Sequence, residues 1–179
     1  ASFMLCLFYR ICFCIFAIRI NQYCMSYKHY WEWRPFLVHR SELEQKFALA
    51  AAEIQTIYEQ LNEFKKYVHH GHISDYPEYG VECDMCSDDG ENNPIINENE
   101  IRLNGCNYSK SAREPLTISI DKPGPSFCNT GKRPYDLLVC CSLLVFTGIF
   151  PDYVFSFSSD GEEREWIIPK VKYATLLKK

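Results

Sequence analysis

Two short stretches of this chain carry residue types that can do chemistry. The first runs from His70 and His72 to Cys83-Asp-Met-Cys86. Imidazole nitrogen and thiolate sulfur are zinc ligands, and a closed structural site takes four of them in tetrahedral array. One C-x-x-C with His70 and His72 supplies that number. A knuckle usually brings two such pairs at a family spacing, and this order is unusual. The plainer expectation is a surface loop with incidental cysteines and histidines, so no cofactor is expected and zinc is kept as the alternative.

The second stretch is Lys132-Arg133, directly before Pro134, with Asp160 further on. The two cations stand where a strongly apolar segment begins. If that segment is a helix, its first N–H groups and its dipole favour an anion there. Asp160 closes the strand predicted after the helix, and a helix-then-strand return brings that end back beside the helix start. Lys132, Arg133 and Asp160 are therefore the candidate ligand-binding residues. Their plainer use is solvation, or pairing of the cations with Asp136 or Asp160.

Other chemistries fail on spacing. Thr130-Gly131-Lys132-Arg133 lacks the upstream glycine and the following Ser or Thr of a phosphate loop. Ser158-Ser159-Asp160-Gly161 holds hydroxyls and a carboxylate, but nucleophilic catalysis also needs a positioned base. The histidines, His29, His39, His69, His70 and His72, are all remote in sequence. Asx-turn chemistry accounts for Asp160-Gly161. No catalytic residue is assigned, and the expectation leans away from an enzyme. Asn107-Tyr-Ser109 is a formal glycosylation sequon that matters only in a secreted chain.

These groups need elements to position them. Aromatic residues from Tyr27 to Trp33 predict a strand at about 27–33. Ser41 and Glu44 have the spacing of a capping box. The apolar positions Leu43, Phe47, Ala50, Ile54, Ile57, Leu61, Phe64 and Val68 then alternate steps of four and three, a heptad seam that ends before Gly71. Residues 71–100 are rich in Gly, Pro, Asn and Asp and read as a long loop with a short strand near 79–83. Ile101–Leu103 and Leu116–Ile120 alternate and should pair in antiparallel fashion across 104–115. Residues 121–125 read as a turn. Residues 135–147 are apolar on every side, which marks a buried helix. Tyr153–Ser158 alternates as a strand, and a terminal helical piece from about 162 is expected to be interrupted at Pro169.

Residues 1–24 differ from the rest. They hold four of the ten cysteines and no acidic residue. The apolar run is barely long enough to span a bilayer and carries Arg10 at its middle. It also lacks the basic start and cleavage site of a signal peptide. The favoured expectation is an extension outside the domain, with ordinary composition beginning at Met25. No membrane association is expected unless residues 1–24 are genuine.

The 179 residues fit one domain, placed at 25–179. The 47% hydrophobic content is enough for a core. A net charge of −4 argues against nucleic acid as a partner.

Met25-Ser-Tyr, Ile101-Arg-Leu-Asn-Gly105, the 127–139 segment FCNTGKRPYDLLV and Ser158-Ser-Asp-Gly161 occur in that order. Together they resemble a group of small bacteriophage and prophage proteins of unknown activity. Asn129 stands where that pattern usually has lysine, and Gly131 where it has alanine. The resemblance covers about 25–168. It implies a phage-type accessory protein and brings no catalytic residue.

The expectation is thus a cytoplasmic α+β domain: a mostly antiparallel sheet of about four strands against one long and one buried helix. The leading function is a non-enzymatic interaction module with an unidentified protein partner. The alternatives are a small ligand-binding protein or enzyme using Lys132, Arg133 and Asp160, and a zinc-stabilised binder using the 70–86 loop. A homodimer through the 43–68 seam is the further partner expectation.

Overall fold

A computed structural model describes residues 26–70 and 85–177, with the side chains of 63–70 outside that description. The expected strand near 79–83, the ligands His72 and Cys83, the His70 side chain and residues 1–24 all lie outside the described residues. The fold is α+β, as the alternation of apolar periods requires. Among the described residues it has seven strands and three α-helices.

The strands form two antiparallel sheets. In the first, β1 (Lys28–Trp33) lies between β6 (Gly124–Asn129) and β7 (Phe155–Ser159). In the second, β4 (Glu100–Gly105) pairs with β5 (Leu116–Ser119), placing Ile101 opposite Ile118 and Leu103 opposite Leu116. Two short strands, β2 (Met85–Cys86) and β3 (Ile95–Ile96), also pair with β4. The β4–β5 pairing matches the expectation. The larger number of strands does not: β2, β3 and β6 are additional, and β6 is the longest of them. Its Gly124-Pro125 start reads as a turn, but Pro is tolerated on an edge strand because the missing N–H faces no partner.

Helix α1 (Arg40–His70) carries the heptad seam. Leu43, Phe47, Ala50, Ile54 and Ile57 are buried in the chain's own core, so this part of the seam is used inside the fold. A second copy could reach only the seam from Leu61 onward, and Phe64 and Val68 lie outside the described side chains. The predicted capping residues are engaged elsewhere. Ser41 Oγ bonds His39 Nδ1 at 2.9 Å, and Glu44 takes a hydrogen bond from Arg40 Nε at 2.7 Å.

Helix α2 (Asp136–Ile149) packs against α1, β7 and the last helix, α3 (Ile167–Leu176). Contact on so many sides is what its all-round apolar sequence requires. Pro169 does not interrupt α3. It lies buried in the first turn, where a helix has no N–H bond to lose. A short 3-10 turn, Glu163–Trp166, leads into that helix.

Trp33 ties the two sheets to the helices. Its ring meets Phe47, Phe146, Phe150 and Phe155 at centroid distances of 5.0–6.2 Å. Its indole N–H donates to Ser119 O at 2.9 Å, so the polar tip of a buried ring is satisfied. No helix among the described residues is long and apolar enough to cross a membrane.

Candidate functional site: a buried polar cluster behind an aromatic sheet face

Alternation along β1 makes two surfaces from one strand. His29, Trp31 and Trp33 are buried, while Lys28, Tyr30 and Glu32 are at least partly exposed. His29 is the exception among the inward residues, because an imidazole there needs hydrogen-bond partners.

The first turn of α2 supplies one, and the turn after β6 positions it. Asn129 Oδ1 accepts from Tyr27 N at 3.0 Å and Gly131 N at 3.2 Å, and Tyr27 O accepts from Thr130 N at 3.0 Å. Gly131 and Lys132 then take left-handed φ values of +55° and +54°. Glycine adopts that region without the clash that a side chain meets, which suits residue 131 to the turn. The chain is thereby reversed into α2, and Asp136 in its first turn arrives beneath His29.

Asp136 is the hub. His29 Nε2 lies 2.8 Å from Asp136 Oδ1, and Thr130 Oγ1 donates to the same oxygen at 2.5 Å. Cys140, one turn further along α2, places Sγ 3.7 Å from Asp136 Oδ2 and 3.8 Å from His29 Nε2. The imidazole is wholly buried, whereas the Asp136 side chain keeps 19% exposure and forms the solvent edge of the cluster. Tyr27 and Trp166 stand edge-on to the imidazole at 5.1 and 5.7 Å. His29 Nδ1 is buried with no hydrogen-bond partner.

The electrostatics follow from burial around one carboxylate. Burial pushes the Cys140 and Cys128 thiols up, and the charge on Asp136 adds to the effect. The Tyr27 phenol is raised by burial first and by Asp136 second. Cys141 faces away, toward Pro169 O at 3.7 Å, and burial pushes its thiol up to about 12.

This is not the geometry of a thiol nucleophile. Such a site orients the imidazole through one nitrogen and presents the other to the sulfur. Here Asp136 and Cys140 share Nε2, Nδ1 is bare, and burial pushes the thiol up. The cluster can lock β1 to α2. His29 Nε2, the Asp136 carboxylate and Cys140 Sγ also lie within 4.8 Å of one another, close enough to hold one metal ion.

Lys132, Arg133 and Asp160 flank this cluster around Tyr27 and Lys28, but their side chains have separate roles. Lys132 Nζ pairs with Glu165 and stands 4.7 Å from the Tyr27 ring centroid. Asp160 Oδ2 accepts from Lys28 N at 3.0 Å, and Asp160 N donates to Lys28 O at 2.9 Å, extending the β1–β7 ladder. Arg133 is exposed, and its N–H donates to Thr130 O at 3.0 Å. Burial works against the Glu165 carboxylate, but the Lys132 hydrogen bond, the Glu162 N–H and the Lys132 charge together hold it below the usual carboxylate range. Of the zinc candidates, Cys86 lies buried in β2.

The other face of β1 is open. Tyr30 and Phe127, paired across β1 and β6, are 40% and 49% exposed, with ring centroids 6.2 Å apart. Lys28 Nζ lies 5.5 Å from the Phe127 centroid. The face forms a shallow groove of about 570 Å³ lined in part by Tyr30, Glu32, Pro125, Phe127, Ser156 and Ser158.

Sequence reasoning missed the buried cluster because 107 residues separate His29 from Asp136. Only half of it carried a local signal: Asp136 and Cys140 are four apart on a helix and so share a face. No protein-family model matches the chain, and no curated protein or solved structure matches it.

Proposed function

We propose that this chain is a non-enzymatic interaction module whose outer β6–β1–β7 face receives a segment of a partner protein. The observation that carries the reading is the Tyr30–Phe127 pair, two large rings side by side on an open sheet face. Exposed aromatic residues with polar surroundings have the composition of protein-interface centres. Lys28 and Glu32 flank the rings with opposite charges, and serines line the β7 side, so the fitting segment is apolar at its centre and polar at its margins.

A phage accessory role rests on the sequence resemblance through residues 101–105, 127–139 and 158–161. A cytoplasmic setting is supported by free thiols at Cys128, Cys140 and Cys141. The anionic-ligand alternative has less support, because Lys132 is already paired with Glu165 and Asp160 with the Lys28 backbone.

The test places a photo-crosslinking side chain at Phe127 and, as control, at the exposed Tyr153. Crosslinking in an extract of the producing cell should give one adduct specific to position 127. Purified, that partner should bind the wild-type chain and lose most of its affinity for Tyr30→Ala. Equal labelling from both positions, or a partner indifferent to Tyr30→Ala, would refute the reading.

A further inference from the structure

We propose that His29, Asp136 and Cys140 form a site for a borderline divalent transition metal, with zinc as the fitting ion. The site is separate from the exposed sheet face and does not depend on its role. Three donors of different chemistry converge from two elements: an imidazole from β1, and a carboxylate and a sulfur one turn apart on α2.

The distances suit the ion. Zinc–sulfur and zinc–nitrogen bonds of about 2.3 and 2.0–2.1 Å put tetrahedral ligands roughly 3.3–3.6 Å apart. Cys140 Sγ is 3.8 Å from His29 Nε2 and 3.7 Å from Asp136 Oδ2. The remaining separation, 2.8 Å between His29 Nε2 and Asp136 Oδ1, is a hydrogen bond that the metal would replace. The sulfur and imidazole select against magnesium and calcium, which take oxygen ligands.

The charges also balance. Coordination removes the Cys140 proton to solvent, giving one thiolate, one carboxylate and a neutral imidazole around a dication. A buried site with no net charge avoids the desolvation cost of an unpaired ion. Thr130 Oγ1, on Asp136 Oδ1, orients the carboxylate from outside the ligand set. The partly exposed Asp136 edge provides the entry path, and a water completes the fourth position.

The experiment uses the full chain, freed of metal and titrated with cobalt(II), with zinc as competitor. Wild type should develop thiolate-to-cobalt charge-transfer absorption and tetrahedral visible bands, both lost on adding zinc. Cys140→Ser and His29→Gln should each lose the charge-transfer band. Cys141→Ser, one residue away but facing Pro169, should keep it. Cys83→Ser separates this site from the 70–86 loop and should also keep it. X-ray absorption of the wild-type zinc form, which needs no variant to fold, should show a single sulfur at about 2.3 Å with nitrogen or oxygen at about 2.0 Å. Two or more sulfurs, a band that survives Cys140→Ser, or folded wild type that binds no cobalt would each overturn the proposal.

Discussion

His29 Nε2 lies 2.8 Å from Asp136 Oδ1, although 107 residues separate them in the chain. The contact joins the central strand of one sheet to the first turn of the most buried helix, and Thr130 and Cys140 share the same carboxylate. A network of this kind is costly to break from one side, because each orphaned group stays buried. Asp136→Ala should therefore lower stability by about 1–3 kcal/mol in urea unfolding. A double-mutant cycle with His29→Gln should be strongly non-additive, since the two residues share one interaction.

The two faces of β1 should respond oppositely to truncation. Tyr30→Ala with Phe127→Ala removes exposed rings and should change stability by no more than about 1 kcal/mol. Trp33→Ala empties a site surrounded by four phenylalanines and should cost about 3–5 kcal/mol. Thermal unfolding of the purified variants distinguishes the two outcomes.

The first part of the α1 seam should behave as core. Ile57 is fully buried within the chain, so Ile57→Ala should cost about 2–5 kcal/mol. Sedimentation should show the oligomeric state unchanged by that substitution.

The Lys132–Glu165 pair should give a pH-dependent contribution. Glu165 has a folded pKa below its ordinary value, so its contribution is present above the ordinary carboxylate range and is lost as pH falls through the lowered value. At neutral pH, Glu165→Gln should be less stable than wild type by no more than about 1 kcal/mol, because both side chains of the pair remain partly exposed. The difference should vanish in acid. A gap that persists unchanged to pH 3 would show that charge is not its cause.

Thiol chemistry gives a further check on packing. Cys128, Cys140 and Cys141 are buried with raised pKa values, so few thiolates are available and reagents cannot reach them. Alkylation of the native protein at mildly alkaline pH, followed by peptide mapping, should leave these three unmodified. In denaturant all three should react.

Much of the frame was legible in the sequence because it rests on local periodicity. The 3.5-residue seam of α1, the alternating Ile101–Leu103 and Leu116–Ile120 pair, and the all-round apolar run of α2 each report one element's burial. The β6 strand was less legible, since Gly124-Pro125 has turn chemistry and only its edge position makes the proline acceptable. Pro169 misled for the same kind of reason: a proline ends a helix in its interior but not in its first turn, and the sequence does not say where that turn begins.

The candidate site divides along the same line. The sequence by itself determined that Lys132 and Arg133 precede a central helix and that Asp160 ends a returning strand. Tertiary structure decided their partners: Glu165 for Lys132 and the Lys28 backbone for Asp160. It alone brought His29 to Asp136 and Cys140, and set Tyr30 beside Phe127. The physical reason is that periodicity records whether a residue faces the core or solvent. Which residues meet there depends on strand register and helix placement, fixed by packing between elements far apart in the chain.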